Sequence, residues 1–498
     1  MLSVKRSTLL HILAFCTLVV SAQTKIEIIS ADELVYDQEV GRYQRCIGNV
    51  EFKQGNMHMY CDSARFYEVQ NRVEAFGDIY INQPDTLDLW GDYLDYDGDK
   101  KEAKLTGKVK LTDGEMTLRT RQLNYNLGTQ IGYYSTKSYI DNGEDQLESI
   151  KGTYYSETKE FFFKDSVKLT NPEYTMTSDT LRYNTETTLA SFYGPTFIRS
   201  EENTIFCNYG WYNTDKEISQ FSKGAYIEGE ENKLTADSMV YYRNTGWGYA
   251  YGNIVLIDTV QEVTIKGDTG VYQRFDKRTV VTGNPLAIKK MDDDSLFLWA
   301  DTLRDETDTV SNKRFLHAYR QVKMFKSDVQ SVADSLVYNF TDSTITEYYN
   351  PCVWTDSSQI TGDTIIIYRN NEGIDRIQAF DNAFIIEKDS NGFYNQIAGK
   401  RLIAFFTSGK INKVNVLGNG QSIYYAQQDS ASYAGVNDVV CGNMVIYFNK
   451  ANKVNSITFL SQPKATFYPL SDFPSSESKL PGFDWRTVLR PEAPEINK

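Results

Sequence analysis

Histidine, cysteine and proline are scarce in this 498-residue chain, at 3, 6 and 11 copies. The histidines, His11, His58 and His317, are too few and too dispersed to build a metal centre, and no metal or cofactor is expected. There is no Cys-x-x-Cys, and the cysteines beyond Cys16 (Cys46, Cys61, Cys207, Cys352 and Cys441) are odd in number, which is not a disulfide framework. Cys46 and Cys61 either pair or act as small buried hydrophobes. Long apolar runs are missing as well. The stretch from Leu9 to Val20, about a dozen residues, falls short of the ~20 that a spanning helix needs. It follows Lys5 and Arg6 and leads into Val20-Ser21-Ala22, the pattern of a secretory signal over residues 1–22 that is cleaved before Gln23. A basic excess is also absent. The formal net charge is −14, and loss of the two leader cations makes the remainder more acidic. Nucleic acid is therefore not an expected partner, whereas a local basic patch remains compatible with that balance.

The chain does have aromatics, 35 Tyr and 26 Phe, and many of them recur in a fixed frame. An acid is followed four positions later by an aromatic, as in Asp32-Glu33-Leu34-Val35-Tyr36, Asp62 to Phe66 and Asp92 to Tyr96. The frame continues at Arg121 to Tyr125, Lys151 to Tyr155, Asp179 to Tyr183, Asn208 to Tyr212, Asp237 to Tyr241 and Asp268 to Tyr272. Successive positions differ by 28 to 31 residues. Later copies at Asp301, Asp334, Asp363, Lys400 and Asn443 are spaced more loosely. Each frame alternates with a second half that opens on glycine, such as Gly48-Asn49-Val50-Glu51-Phe52, Gly77-Asp78-Ile79-Tyr80-Ile81 and Gly107-Lys108-Val109-Lys110-Leu111. Period-two alternation of Val, Ile, Phe and Tyr marks strands with one buried face. Each half therefore reads as one strand, with Gly, Asn and Asp turning the chain between them. About fourteen such two-strand units of roughly 30 residues, none able to bury its face alone, must stack.

The recurring acid reads as a turn and solubility device at a strand start. A calcium or catalytic ladder would not survive its replacement by Arg121, Lys151, Asn208 or Lys400. The aromatics read as the wall of a trough. Apolar parity in the best-formed units places Leu34, Tyr36, Val50, Phe52, Ile79, Ile81, Leu94, Tyr96, Val109 and Leu111 on its inner face. Regular repeats cover residues 23–295 and more divergent ones 296–468. Residues 469–498 form a Pro- and Ser-rich tail that reads as flexible, with Phe483 and Trp485 available to dock a partner.

The opening Ile26-Glu27-Ile28-Ile29-Ser30-Ala31-Asp32, the run Leu34-Val35-Tyr36-Asp37 and the return Gly48-Asn49-Val50-Glu51-Phe52 resemble the OstA-like, or LptA, family of lipopolysaccharide transport proteins. That fold also forms the soluble N-terminal part of LptD. The resemblance implies an all-β, elongated open β-jellyroll, V-shaped, of two antiparallel sheets. It also implies a non-catalytic periplasmic bridge that shields the lipid A acyl chains of lipopolysaccharide between the membranes. The implied partners are other transport proteins of the same fold, joined edge to edge, and further copies of the chain, head to tail; association with the outer membrane is a further expectation. The chain has about twice the repeats expected of the short family members, and residues 470–498 cannot supply the membrane barrel of LptD. Two other readings stay open: a structural or adhesin-like repeat protein, and a β-helix polysaccharide-degrading enzyme with paired acids.

Overall fold

The computed structural model describes residues 24–36, 42–84, 86–114, 116–291, 294–308, 310–370, 373–428, 432–449 and 453–494. The leader at residues 1–22 lies outside these. The described chain is all-β apart from three short 3-10 turns near its C-terminal end.

Strands Gln44–Gln54, Met57–Tyr67, Arg72–Gln83, Leu87–Asp97 and Glu102–Thr112 each pair antiparallel with the next, in a simple meander. Each pairing slips once at its middle, between Ile47 and Val50, Tyr60 and Ser63, Phe76 and Ile79, or Trp90 and Tyr93. In three of these pairings two successive residues of the bulged strand take positive φ, Gly48 at 76° with Asn49 at 42°, or Gly77 at 73° with Asp78 at 36°; in the fourth Gly107 alone does, at 100°. A bulge of this kind bends the strand without ending it. Gly48-Asn49 and Gly77-Asp78 are thus bends inside strands of 11 and 12 residues, not turns between two short ones. The two halves of every strand accordingly belong to two leaves that fold over each other. Residues 33–36, 44–47, 63–67 and 93–97 lie in the first leaf, and residues 27–30, 50–54, 57–60 and 87–91 in the second.

The acid of the frame sits in this bend, at mid-strand, where the expectation had it at a strand start. Asp32 accepts a hydrogen bond from Asn49 Nδ2 at 2.9 Å, Asp237 one from Asn253 Nδ2 at 2.9 Å, and Asp92 one from the Lys108 N–H at 3.0 Å. Its carboxylate occupies space that glycine leaves free: a Cβ on Gly77 would lie 2.2 Å from Asp62 Oδ2, and one on Gly252 2.3 Å from Asp237 Oδ2. Glycine is required there twice over, for its left-handed φ and for the missing side chain. The spacing of acid to glycine in the sequence is the distance from one bend to the next.

Packing divides the described chain into two compact units. The first runs to Pro172 and includes Thr180–Glu186; the second comprises Glu173–Asp179 and everything from Thr187. In the first, Phe52 of the second leaf packs on Phe66 of the first, ring centroids 5.7 Å apart. In the second, a continuous apolar core extends from Val263 to Ile446. There the later strands lengthen, to 16 residues in Gly373–Lys388 and 18 in Lys410–Gln427, which accounts for the drift in repeat spacing.

Candidate functional site

The space between the two leaves is where the alternation of the sequence points. Val50, Phe52, Ile79, Ile81, Leu94, Tyr96, Val109 and Leu111 are all buried there. Leu34 and Tyr36 are not: they are 56% and 63% exposed. Leu34 lies opposite the buried Cys46, so its parity is that of the interior. Its exposure comes from its place in the stack, because strand Glu33–Tyr36 has a partner on one side only among the described residues. All five described cysteines are free and buried. Burial pushes the Cys46 thiol up to about 11 and that of Cys61 up to about 12, so both behave as small hydrophobes.

The ends of the strands away from the bends form two lips, and in the first unit these lips meet. The Tyr96 hydroxyl hydrogen-bonds Gln54 Oε1, while Gln54 Nε2 donates to the Gly98 carbonyl at 2.8 Å. The Tyr154 hydroxyl donates to Asp113 Oδ2 at 2.6 Å, and Lys159 Nζ lies 3.4 Å from the same oxygen. Tyr96 is a frame aromatic, so it supplies the wall with its ring and reaches the lip with its hydroxyl; Tyr154 stands one residue before the frame aromatic Tyr155.

The second unit is closed in the same way. Arg314 of the first leaf pairs with Asp258 of the second and, at 2.7 Å, with Asp305. Between the leaves lies a cavity of about 30 Å³, room for roughly one water. Ile385, Ile397 and Ser422 line it from one leaf and Ile411, Val414 and Ile446 from the other. Further along, Glu347 is buried among apolar side chains, hydrogen-bonded by the Ser331 hydroxyl from the opposite leaf. Desolvation pushes its carboxyl up to about 8, so at neutral pH it keeps its proton. Among the described residues no group of His, Cys, Asp and Glu could hold a metal ion, and no helix is long and apolar enough to cross a membrane.

The tail is tied down, contrary to the flexible segment expected. A cross-strand row on the outer face of the second leaf runs Gln330, Trp354, Gln359, Ile386, Gln396, Ile423. The tail passes along this row. Gln396 donates to the Ser478 carbonyl at 2.9 Å and accepts from the Leu480 N–H at 2.8 Å. Gln359 does the same with the Asp484 carbonyl at 2.6 Å and the Arg486 N–H at 2.7 Å, and Gln330 accepts from Arg490 Nε at 2.7 Å. Phe483 and Trp485 pack edge-on against Tyr394, at 5.3 and 5.5 Å between centroids, so their rings are engaged within the chain. Three glutamines on separate strands carry no local sequence signal. Only the pairing register brings them into one row.

Bent antiparallel strands, a greasy interior between two leaves and lips closed by polar contacts define a β-jellyroll built from tandem hairpins. Over residues 23–179 the chain matches the family model described as OstA-like protein. Among solved structures, LptH of Pseudomonas aeruginosa is similar at 15% identity, over 24% of this chain and 81% of that one, with a TM-score of 0.21. It is described as the LptA-homologous periplasmic component of the lipopolysaccharide transport device. No curated protein sequence matches the chain.

Proposed function

We propose that this chain is a non-catalytic periplasmic carrier that takes lipopolysaccharide from the inner towards the outer membrane, with acyl chains between the leaves and sugars in water. The observation that carries this reading is the apolar interior lined by Phe52, Ile79, Ile81 and their neighbours, bounded by lips held through polar side chains. Each acyl carbon kept from water saves about 0.8 kcal/mol, so a dry path removes the barrier to crossing an aqueous gap without any chemistry. With about one water's worth of free volume in the cavity, acyl chains enter only as the leaves part. Contacts between leaves are then exchanged for contacts between leaf and lipid, at little net loss of apolar burial. Strands Glu27–Ser30 and Glu33–Tyr36, the second with its own Leu34 and Tyr36 exposed, offer an edge for a same-fold partner or a second copy to extend.

The test is to purify the protein from cells, extract it with organic solvent and look for lipid A, then to place photo-crosslinkers at Phe52 and Ile81. Lipopolysaccharide adducts at both positions are expected. A lipid-free extract with no adducts would overturn the proposal. It would leave the reading as a structural repeat protein, which the close packing of the interior favours. A parallel β-helix enzyme is incompatible with the antiparallel pairing of the described strands.

A further inference from the structure

In the second unit the two lips of the interior differ in charge. Just outside the second leaf stand Glu173, Glu201, Glu202, Glu230, Glu231 and Glu262, and the turns at residues 201–202, 230–231 and 259–262 hold no Lys or Arg. The first-leaf turns facing them, at residues 243–246 and 274–277, open on Arg243 and Arg274. Each arginine crosses the mouth. Arg243 pairs with Glu173, and Arg274 with Glu202 at 2.7 Å, although 70 and 72 residues separate the partners. Each also leans on a frame tyrosine of its own leaf, Arg243 on Tyr212 and Arg274 on Tyr241. The same contact therefore occurs twice, one repeat apart. The two arginines follow strands Asn232–Tyr242 and Val263–Gln273, which are two strand positions apart, or roughly 10 Å at the usual spacing.

Burial separates these pairs from Arg314–Asp258. Asp258 is only 10% exposed and Arg314 has a second partner in Asp305, so that contact belongs to the fold. Glu173 and Glu202 are 59% and 67% exposed, and ion pairs so open to water are weak and readily exchanged. Beside Arg274 on the same turn, Phe275 is exposed. A cation held by a tyrosine, an apolar ring next to it and a greasy interior behind form the profile of a water–lipid boundary.

From this geometry we infer that Arg243 and Arg274 are a binding site for the anionic phosphate groups of an amphiphile, and that Glu173 and Glu202 hold the site until those phosphates replace them. The inference rests on the reading that acyl chains lie between the leaves, and it fixes how such a molecule is oriented. Phosphates go to the first-leaf lip, because the second-leaf lip repels them. Guanidinium suits this role, since it meets phosphate oxygens through two parallel N–H donors.

The experiment measures binding of dodecyl phosphate and dodecyl maltoside, which share one chain, to the full-length protein by calorimetry below their micelle concentrations. The phosphate is expected to bind at least tenfold more tightly. Arg243→Gln with Arg274→Gln should bring the phosphate down to the level of the maltoside and leave the maltoside unchanged, while the Lys pair restores the preference. Glu173→Gln with Glu202→Gln should strengthen phosphate binding by removing its competitor. Equal affinity for the two amphiphiles, or a phosphate affinity untouched by the Arg→Gln pair, would overturn the headgroup site and leave the apolar interior standing. Failure of both amphiphiles to bind would overturn the interior reading, and the site with it.

Discussion

The outer face of the second leaf is treated in opposite ways in the two units. In the first, Tyr60, Tyr80 and Trp90 stand side by side on neighbouring strands, with centroids 5.8 and 5.2 Å apart, and Lys110 caps the row 4.2 Å above the indole. Ring edges remain open to water and Tyr60 is exposed. In the second unit the same side of the same leaf carries Phe384, Ile386, Tyr425 and Val436, all buried, because Leu480, Phe473, Phe483 and Trp485 of the tail lie on them. Strand parity sends a side chain to a face; it does not decide whether that face is wet. In the first unit the exposed face protects itself by stacking rings, and in the second the chain doubles back to cover it.

The strongest way to break this comparison is to delete residues 470–498. Re-exposing several large apolar side chains, at about 1.5–3 kcal/mol each when fully uncovered, should cost the second unit roughly 5 kcal/mol and lower its urea midpoint. An unchanged midpoint would mean that the tail is a passive cover.

The two interiors differ as well, and pH reads the difference. Glu347 has a folded pKa of about 8, above its ordinary value near 4.5. Below about 4.5 both folded and unfolded chains bind the proton, so the stabilisation is fully present there. Between those values only the folded chain does, and stability therefore falls as pH rises towards 8. Glu347→Gln should flatten that slope in the second unit and raise its stability at pH 8; a slope that persists would place its origin elsewhere.

Gln359→Ala removes both hydrogen bonds to the tail backbone and should cost about 1–2 kcal/mol, since a partly buried carbonyl and N–H lose their partners. Hydrogen exchange at the Arg486 amide should rise with it. The smallest effect belongs to the first unit. Tyr80→Ala breaks the stacked row and should cost about 1 kcal/mol or less, as cross-strand pairs on an open face usually do. A loss comparable to that of Gln359→Ala would show that the open face is as well built as the covered one.

Much of this arrangement is legible in the residues. The 28- to 31-residue frame announces hairpins of constant length, and alternation alone picks out Val50, Phe52, Ile79, Ile81, Leu94, Tyr96, Val109 and Leu111 as interior. Other features are not legible. A glycine followed by Asn or Asp is the usual mark of a turn, and the sequence has no means of showing that Gly48-Asn49 bends a strand whose pairing resumes two residues later. Leu34 and Tyr36 share the pattern of Val50 and Phe52, yet among the described residues no second strand covers them. The tail looks unstructured by composition, and its docking depends on Gln330, Gln359 and Gln396, which are far apart in the chain.

The sequence by itself determined the strand period and the inward parity, because these follow from the alternation of neighbouring apolar side chains. The tertiary structure alone decided which acids meet which arginines across the lips, which glutamines form a row and which outer face the tail covers. The acid–arginine contacts across the lips and those of the tail join residues separated by 56 to 160 positions, and they exist only after the strands have paired in register and folded over their bends.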